Sequence, residues 1–116
     1  MLQINDLNAA LNGEKQETLV YLNLSTQSAG NVSTVITPRA FQYSGYLIVS
    51  GTSTTDNAWV QLDYWFNGKH YHFNQTLGTQ GELFFALPKT DSAAVYTGNL
   101  NPTDAAATTL TIIYHY

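Results

Sequence analysis

Trp59-Val60-Gln61-Leu62-Asp63-Tyr64-Trp65-Phe66-Asn67-Gly68-Lys69-His70-Tyr71-His72-Phe73-Asn74 reads as one β-hairpin. Asn67-Gly68 is the strongest short-range signal for a two-residue type I′ turn, because both central residues need positive φ. A turn at that point fixes the register: Phe66 faces Lys69, Trp65 faces His70, Tyr64 faces Tyr71, Asp63 faces His72 and Leu62 faces Phe73. Directly paired residues share a face, and faces alternate along each strand. Val60, Leu62, Tyr64, Phe66, Tyr71 and Phe73 therefore form a core face, with Lys69 at its turn end. Trp59, Gln61, Asp63, Trp65, His70, His72 and Asn74 look the other way. That second face holds both tryptophans of the chain and two of its three histidines.

Outward from the hairpin, the chain reads as strand after strand. Leu19 to Leu24, Val32 to Thr37, Phe41 to Ser50, Glu82 to Leu87, Val95 to Thr97 and Thr108 to Tyr116 are apolar, β-prone runs separated by Gly-, Ser- and Asn-rich turns. Pro38 lacks the donor that a central strand requires and is expected to end its run, and Gly45 marks a possible bulge. In the last run Leu110, Ile112, Tyr114 and Tyr116 share a face. About eight strands with no crossover helix between them predict an all-β, antiparallel β-sandwich of jelly-roll type over residues 18–116. Residues 1–17 read differently: Ile4, Leu7, Ala10 and Leu11 recur at helical spacing between an Asn5/Asp6 cap and Gly13, giving a short helix or arm. So short a segment is marginal alone and calls for a docking surface, which makes Ile4, Leu7 and Leu11 candidate docking residues.

Composition narrows the function. Charged residues make up 10% of the 116, against a usual share of about 25%. Thr, Ser, Asn, Gln and Tyr supply the polarity, a composition suited to surfaces that pack against copies of themselves. The net charge is −4 and the only cations besides histidine are Lys15, Lys69, Lys89 and Arg39, so a nucleic-acid partner is not expected. There are no cysteines, hence neither disulfides nor thiol chemistry. No run approaches the ~20 apolar residues of a membrane span, and no membrane partner is expected. Met1 to Asp6 lacks the basic and apolar regions of a signal peptide, so the expectation is synthesis in a host cytoplasm without the general secretion route.

Three chemistries fit parts of this pattern. The Trp59/Trp65 face can stack on sugars, can meet another protein, or can be covered by the chain's own arm or loops. Such a pair of tryptophans is too sticky to stand bare. The trio Asp63, His70 and His72 can be a cross-strand Asp–His contact, a facial metal site or a catalytic pair. The first is the plainer reading, because no nucleophile motif accompanies the trio, and no metal or other cofactor is expected. Of the eight acids only Asp63 and Glu82 lie in predicted strands, and nothing in the sequence sets them at the ~5–9.5 Å of a glycosidase pair. Asn23, Asn31 and Asn74 begin Asn-x-Ser/Thr triplets of the sort expected by chance in so Asn- and Thr-rich a chain. An enzyme is not expected.

The run Tyr43-Ser44-Gly45-Tyr46-Leu47-Ile48-Val49-Ser50-Gly51, the turn Thr97-Gly98-Asn99-Leu100-Asn101 and the ending Thr109-Leu110-Thr111-Ile112-Ile113-Tyr114-His115-Tyr116 resemble small all-β virion domains. Phage capsid decoration (cement) proteins and fibres are the families in question. The resemblance covers mainly residues 43–116 and rests on Thr-rich strands, Gly-Asn turns and a terminal Tyr-x-Tyr. It implies a virion structural protein, a homo-oligomer with a trimer favoured, and a major capsid or other virion protein as partner. The competing expectation is an extracellular carbohydrate- or receptor-binding module that uses the aromatic face.

Overall fold

A computed structural model describes residues 15–116; Ile4, Leu7 and Leu11 lie outside the described residues. Eight strands follow in order: β1 (Gln16–Gln27), β2 (Val32–Phe41), β3 (Gly45–Ser53), β4 (Ala58–Phe66), β5 (Lys69–Thr76), β6 (Gln80–Leu87), β7 (Thr90–Asn99) and β8 (Ala106–His115). They form two four-stranded sheets, β1-β8-β3-β6 and β2-β7-β4-β5, in which every pairing is antiparallel. Successive strands thus alternate between sheets except at the β4–β5 hairpin, which is the strand order of a jelly roll. The fold is an all-β sandwich, as the sequence predicts.

Alternation along the strands builds the core. Leu47 and Val49 of β3, Leu110, Ile112 and Tyr114 of β8, and Phe85 and Leu87 of β6 point inward from one sheet. Val60 and Leu62 of β4, Ala93 and Val95 of β7, and Ile36 and Phe41 of β2 meet them from the other. The Tyr114 ring meets Phe41 edge-on at 5.1 Å, and its hydroxyl donates to the Tyr43 carbonyl. Burial is the main reason its phenol titrates above the usual tyrosine range. Most buried polar groups are paired: Ser53 and Thr108 hydroxyls lie 2.9 Å apart, and the Thr97 hydroxyl donates to the Trp59 carbonyl at 2.8 Å, whereas buried Gln27 Oε1 has no partner among the described residues.

Three strands outrun the sequence reading, and one expected bulge is absent. β2 continues through Pro38 to Phe41, because β2 is an edge strand and irregular register around Ile36 and Arg39 spares the missing donor. β7 runs from Thr90 rather than Val95: Asp91-Ser92-Ala93-Ala94 has weak β propensity, but a central position between β2 and β4 imposes the conformation. β1 begins at Gln16 and runs to Gln27, with register shifts between Thr18 and Val20 and between Leu24 and Gln27. Gly45 opens β3 in regular register rather than bulging; a Cβ there would collide with the His115 carbonyl on β8.

Candidate functional site

The β4–β5 hairpin closes as its sequence dictates. Asn67 and Gly68 adopt φ values of 52° and 75°, and the eight paired positions run from Trp59↔Thr76 to Phe66↔Lys69, with Asp63 opposite His72 and Trp65 opposite His70. The face turned away from the core carries Trp59, Gln61, Asp63, Trp65, His70, His72 and Asn74, and β7 extends it with Tyr96 opposite Gln61 and Gly98 opposite Trp59.

The two tryptophans have different fates. Trp59 lies flat over Gly98, where any Cβ would overlap its indole, and it is half-buried. A glycine on the neighbouring strand is therefore a seat for this ring. Trp65, near the turn, is 53% exposed and stacks on His70 with centroids 5.0 Å apart and planes 22° apart. The start of β7 anchors its backbone, since the Thr90 hydroxyl donates to the Trp65 carbonyl.

A polar ladder runs between them. The Asn74 amide donates to Gln61 Oε1 at 3.1 Å, and the Gln61 amide donates to Asp63 Oδ1 at 2.8 Å. Asp63 Oδ2 then lies 3.5 Å from His70 Nε2. The carboxylate thus reaches the diagonal His70 and not its backbone partner His72. Gln61 holds one oxygen on the base side and leaves the other facing the turn, within diagonal reach. His72 stands beside His70, with ring centroids 5.8 Å apart. Among the described residues no group of three or more His, Cys, Asp or Glu side chains could hold a metal ion. Asp63 and Glu82 stand on the outer faces of different sheets, so they do not form a carboxylate pair.

The face meant for the core behaves differently at the two ends of the same hairpin. Val60 and Leu62 are fully buried, but Phe66 remains 40% exposed and Phe73 45%. Tyr64, Tyr71 and Phe73 pile up on this side, with Tyr64 at 5.4 Å from Tyr71 and 5.9 Å from Phe73. Burial, then the neighbouring Tyr71, raises the titration of Tyr64. The opposing sheet does not reach the tip. A cleft of about 210 Å³ lined by Tyr64, Phe73, Gln75, Phe84, Phe85 and Ala86 opens between the edge strands β5 and β6. The tip is thus aromatic and exposed on both sides.

Sequence reasoning missed a second surface. On the outer face of the β1-β8-β3-β6 sheet, Ile113, Ile48 and Phe84 are direct cross-strand partners in one row, continued onto β1 by Thr18. The neighbouring row holds His115 and Tyr46, which stack at 4.7 Å, and Tyr46 also contacts Phe84 at 4.9 Å. Phe84 is 54% exposed. The available signal was the loss of alternation: Leu47-Ile48-Val49, Phe84-Phe85 and Ile112-Ile113 are apolar on both faces of their strands, the mark of a strand covered on both sides.

No helix of the described residues is long and apolar enough to cross a membrane. No protein-family model matches the chain, and no curated protein sequence matches it. Similar solved structures include the C-terminal domain of a structural protein from Sulfolobus turreted icosahedral virus, at 15% identity and TM-score 0.47 over 88% of this chain and 99% of that one. They also include the carbohydrate-binding module CBM36 in complex with calcium and xylotriose, at 16% identity and TM-score 0.43 over 88% and 92% of the two chains. A third belongs to the disulfide-linked pili of Bacillus endospore appendages, at 13% identity and TM-score 0.42 over 87% of each chain. At this level of similarity no property of these proteins carries over to this chain.

Proposed function

We propose that the protein is a non-enzymatic structural subunit of a virion, of the capsid decoration (cement) kind, that stabilises a shell through protein–protein contacts. Its partners in this reading are its own copies, in a homotrimer, and a major capsid or other virion protein. The observation that carries the proposal is the hairpin's exposed aromatic surface, with Trp65 and His70 on one face of the tip and, on the other face, Phe66 beside the turn and Phe73 further back on the edge strand β5. A sugar platform needs aromatic rings on one face only. A finger that is aromatic on both faces fits insertion between protein surfaces.

Magnitudes set the form of that contact. Three aromatic side chains of 150–250 Å² each, nearly half exposed, leave roughly 200–350 Å² to bury, or about 5–9 kcal/mol at ~25 cal/mol/Å². Association costs about 4–15 kcal/mol in lost freedom, and a standard interface buries roughly 800 Å² per partner. The tip therefore acts as an anchor within a wider contact that includes the Asn74–Gln61–Asp63–His70 ladder, or gains from repetition over a lattice.

A second reading, a carbohydrate- or receptor-binding module, draws on one specific feature: Trp65 is stiffened by His70 beside a row of amide and carboxylate groups able to meet hydroxyls. Tryptophan fluorescence separates the two, since Trp59 and Trp65 are the only indoles. The subunit reading predicts a blue shift on self-association or particle binding that Trp65→Ala abolishes, with no response to oligosaccharides. Saturable quenching by an oligosaccharide, lost in Trp65→Ala, would instead establish the sugar reading.

A further inference from the structure

We propose that His70 is a proton-operated clamp for Trp65: its protonated ring pairs with Asp63 and holds the indole in one orientation, and its neutral ring releases it. The device belongs to the chain itself and stands whatever surface the hairpin tip meets. It starts from two stacked rings and a carboxylate. The His70 imidazole lies against the Trp65 indole with centroids 5.0 Å and planes 22° apart. Its Nε2 stands 3.5 Å from Asp63 Oδ2, and the His70 side chain is 41% exposed, so solvent protons reach it.

The charge on the ring sets the strength of both contacts. Histidine is the side chain that changes charge across neutral pH. A neutral imidazole carries one N–H, and the tautomer protonated at Nδ1 turns a lone pair toward the carboxylate. The imidazolium donates from both nitrogens and meets a full negative charge. At 3.5 Å the pair is looser than a good N–H···O bond of about 2.7–3.2 Å, which leaves room for it to close. The same positive charge lies within the ~6 Å over which a cation is drawn to an indole face. One proton therefore tightens the contacts on both sides of the ring.

The surroundings single out His70. Asn74 holds Gln61 at 3.1 Å and Gln61 holds Asp63 Oδ1 at 2.8 Å, so it is Oδ2 that faces the imidazole. His72, the backbone partner of Asp63, lies beside His70 with ring centroids 5.8 Å apart, and two positive rings that close would repel. On β7 the positions beside Trp65 and Asp63 are Ser92 and Ala94, which carry no charge. Tyr96 stands lower down, beside Gln61. Lys69 lies opposite Phe66 on the other face, and Lys89 and Asp91 share a cleft with Trp65 and Phe66 at the turn. The Thr90 hydroxyl fixes the Trp65 backbone, so the clamp acts on the indole alone. A ring already held loses less freedom when a partner covers it, so the tip binds more readily in acid than at neutral pH.

Tryptophan emission reads the clamp. An imidazolium stacked on an indole quenches its emission, whereas a neutral imidazole does so far less. In the full chain, Trp59→Phe keeps a ring over Gly98 and leaves Trp65 as the sole indole. Emission of that variant should fall as the pH is lowered from about 8 to about 5, the range in which histidine titrates. Adding His70→Gln should abolish the fall, Asp63→Asn should make it shallower, and His72→Gln should leave it in place. The third histidine, His115, stacks on Tyr46 in the other sheet and is present in every variant. Time-resolved anisotropy gives a second readout: local motion of the indole should be slower at the acid end of that range than at the alkaline end. A flat emission profile, a fall that survives His70→Gln or is lost in His72→Gln, or one undiminished in Asp63→Asn would overturn the clamp. Equal indole motion at both ends of the range would overturn it as well.

Discussion

The base and the tip of the β4–β5 hairpin share one register, one alternation and the same kinds of residue, yet they have opposite surroundings. At the base, Val60 and Leu62 are fully buried beneath the opposing sheet, and Trp59 is seated on Gly98. Three to six residues further on, Phe66 and Trp65 stand exposed on opposite faces of the same strand. Alternation tells which way a side chain points. It does not tell whether anything stands in front of it. At the base the opposing sheet covers the side chains, and at the tip the described residues leave them exposed.

Mutations sharpen this contrast. Leu62→Ala removes a fully buried side chain from between the sheets and should cost about 2–5 kcal/mol, measured by denaturant unfolding. Gly98→Val puts a side chain where the Trp59 indole rests. It should destabilise by about 1–3 kcal/mol and red-shift the tryptophan emission as the ring is displaced. A native-like emission spectrum in Gly98→Val would show that the indole does not depend on that seat. At the tip, Phe66→Ser should change monomer stability by about 1 kcal/mol, the span of strand preferences, because Phe66 is 40% exposed and lies outside the hydrophobic core.

Much of the architecture could be read from the sequence. Asn67-Gly68 set the hairpin register residue by residue, and the alternation of Leu110, Ile112 and Tyr114 marked the inner face of β8. Elsewhere tertiary context overrode local signals. Pro38 sits within a strand because that strand is an edge, and Ala93 and Ala94 lie in a strand because two neighbours hold them there. The candidate face was legible as a set of residues but not as a network. Pairing rules put Asp63 opposite His72, whereas the Gln61 amide turns the carboxylate toward His70. The apolar row Ile113-Ile48-Phe84 escaped notice because it is assembled from three distant segments, each contributing one residue. Only the strand order brings them together.

The central claim is that the exposed tip meets a protein surface, and sedimentation of the full chain against a tip variant tests it most directly. The account predicts that the protein sediments as an oligomer larger than its 12.8 kDa monomer at micromolar concentration. Trp65→Ser combined with Phe66→Ser should shift it to monomer while leaving its unfolding midpoint within a few degrees. An oligomer that persists unchanged in the double variant, or a wild-type chain that stays monomeric and answers only to oligosaccharide, would contradict it.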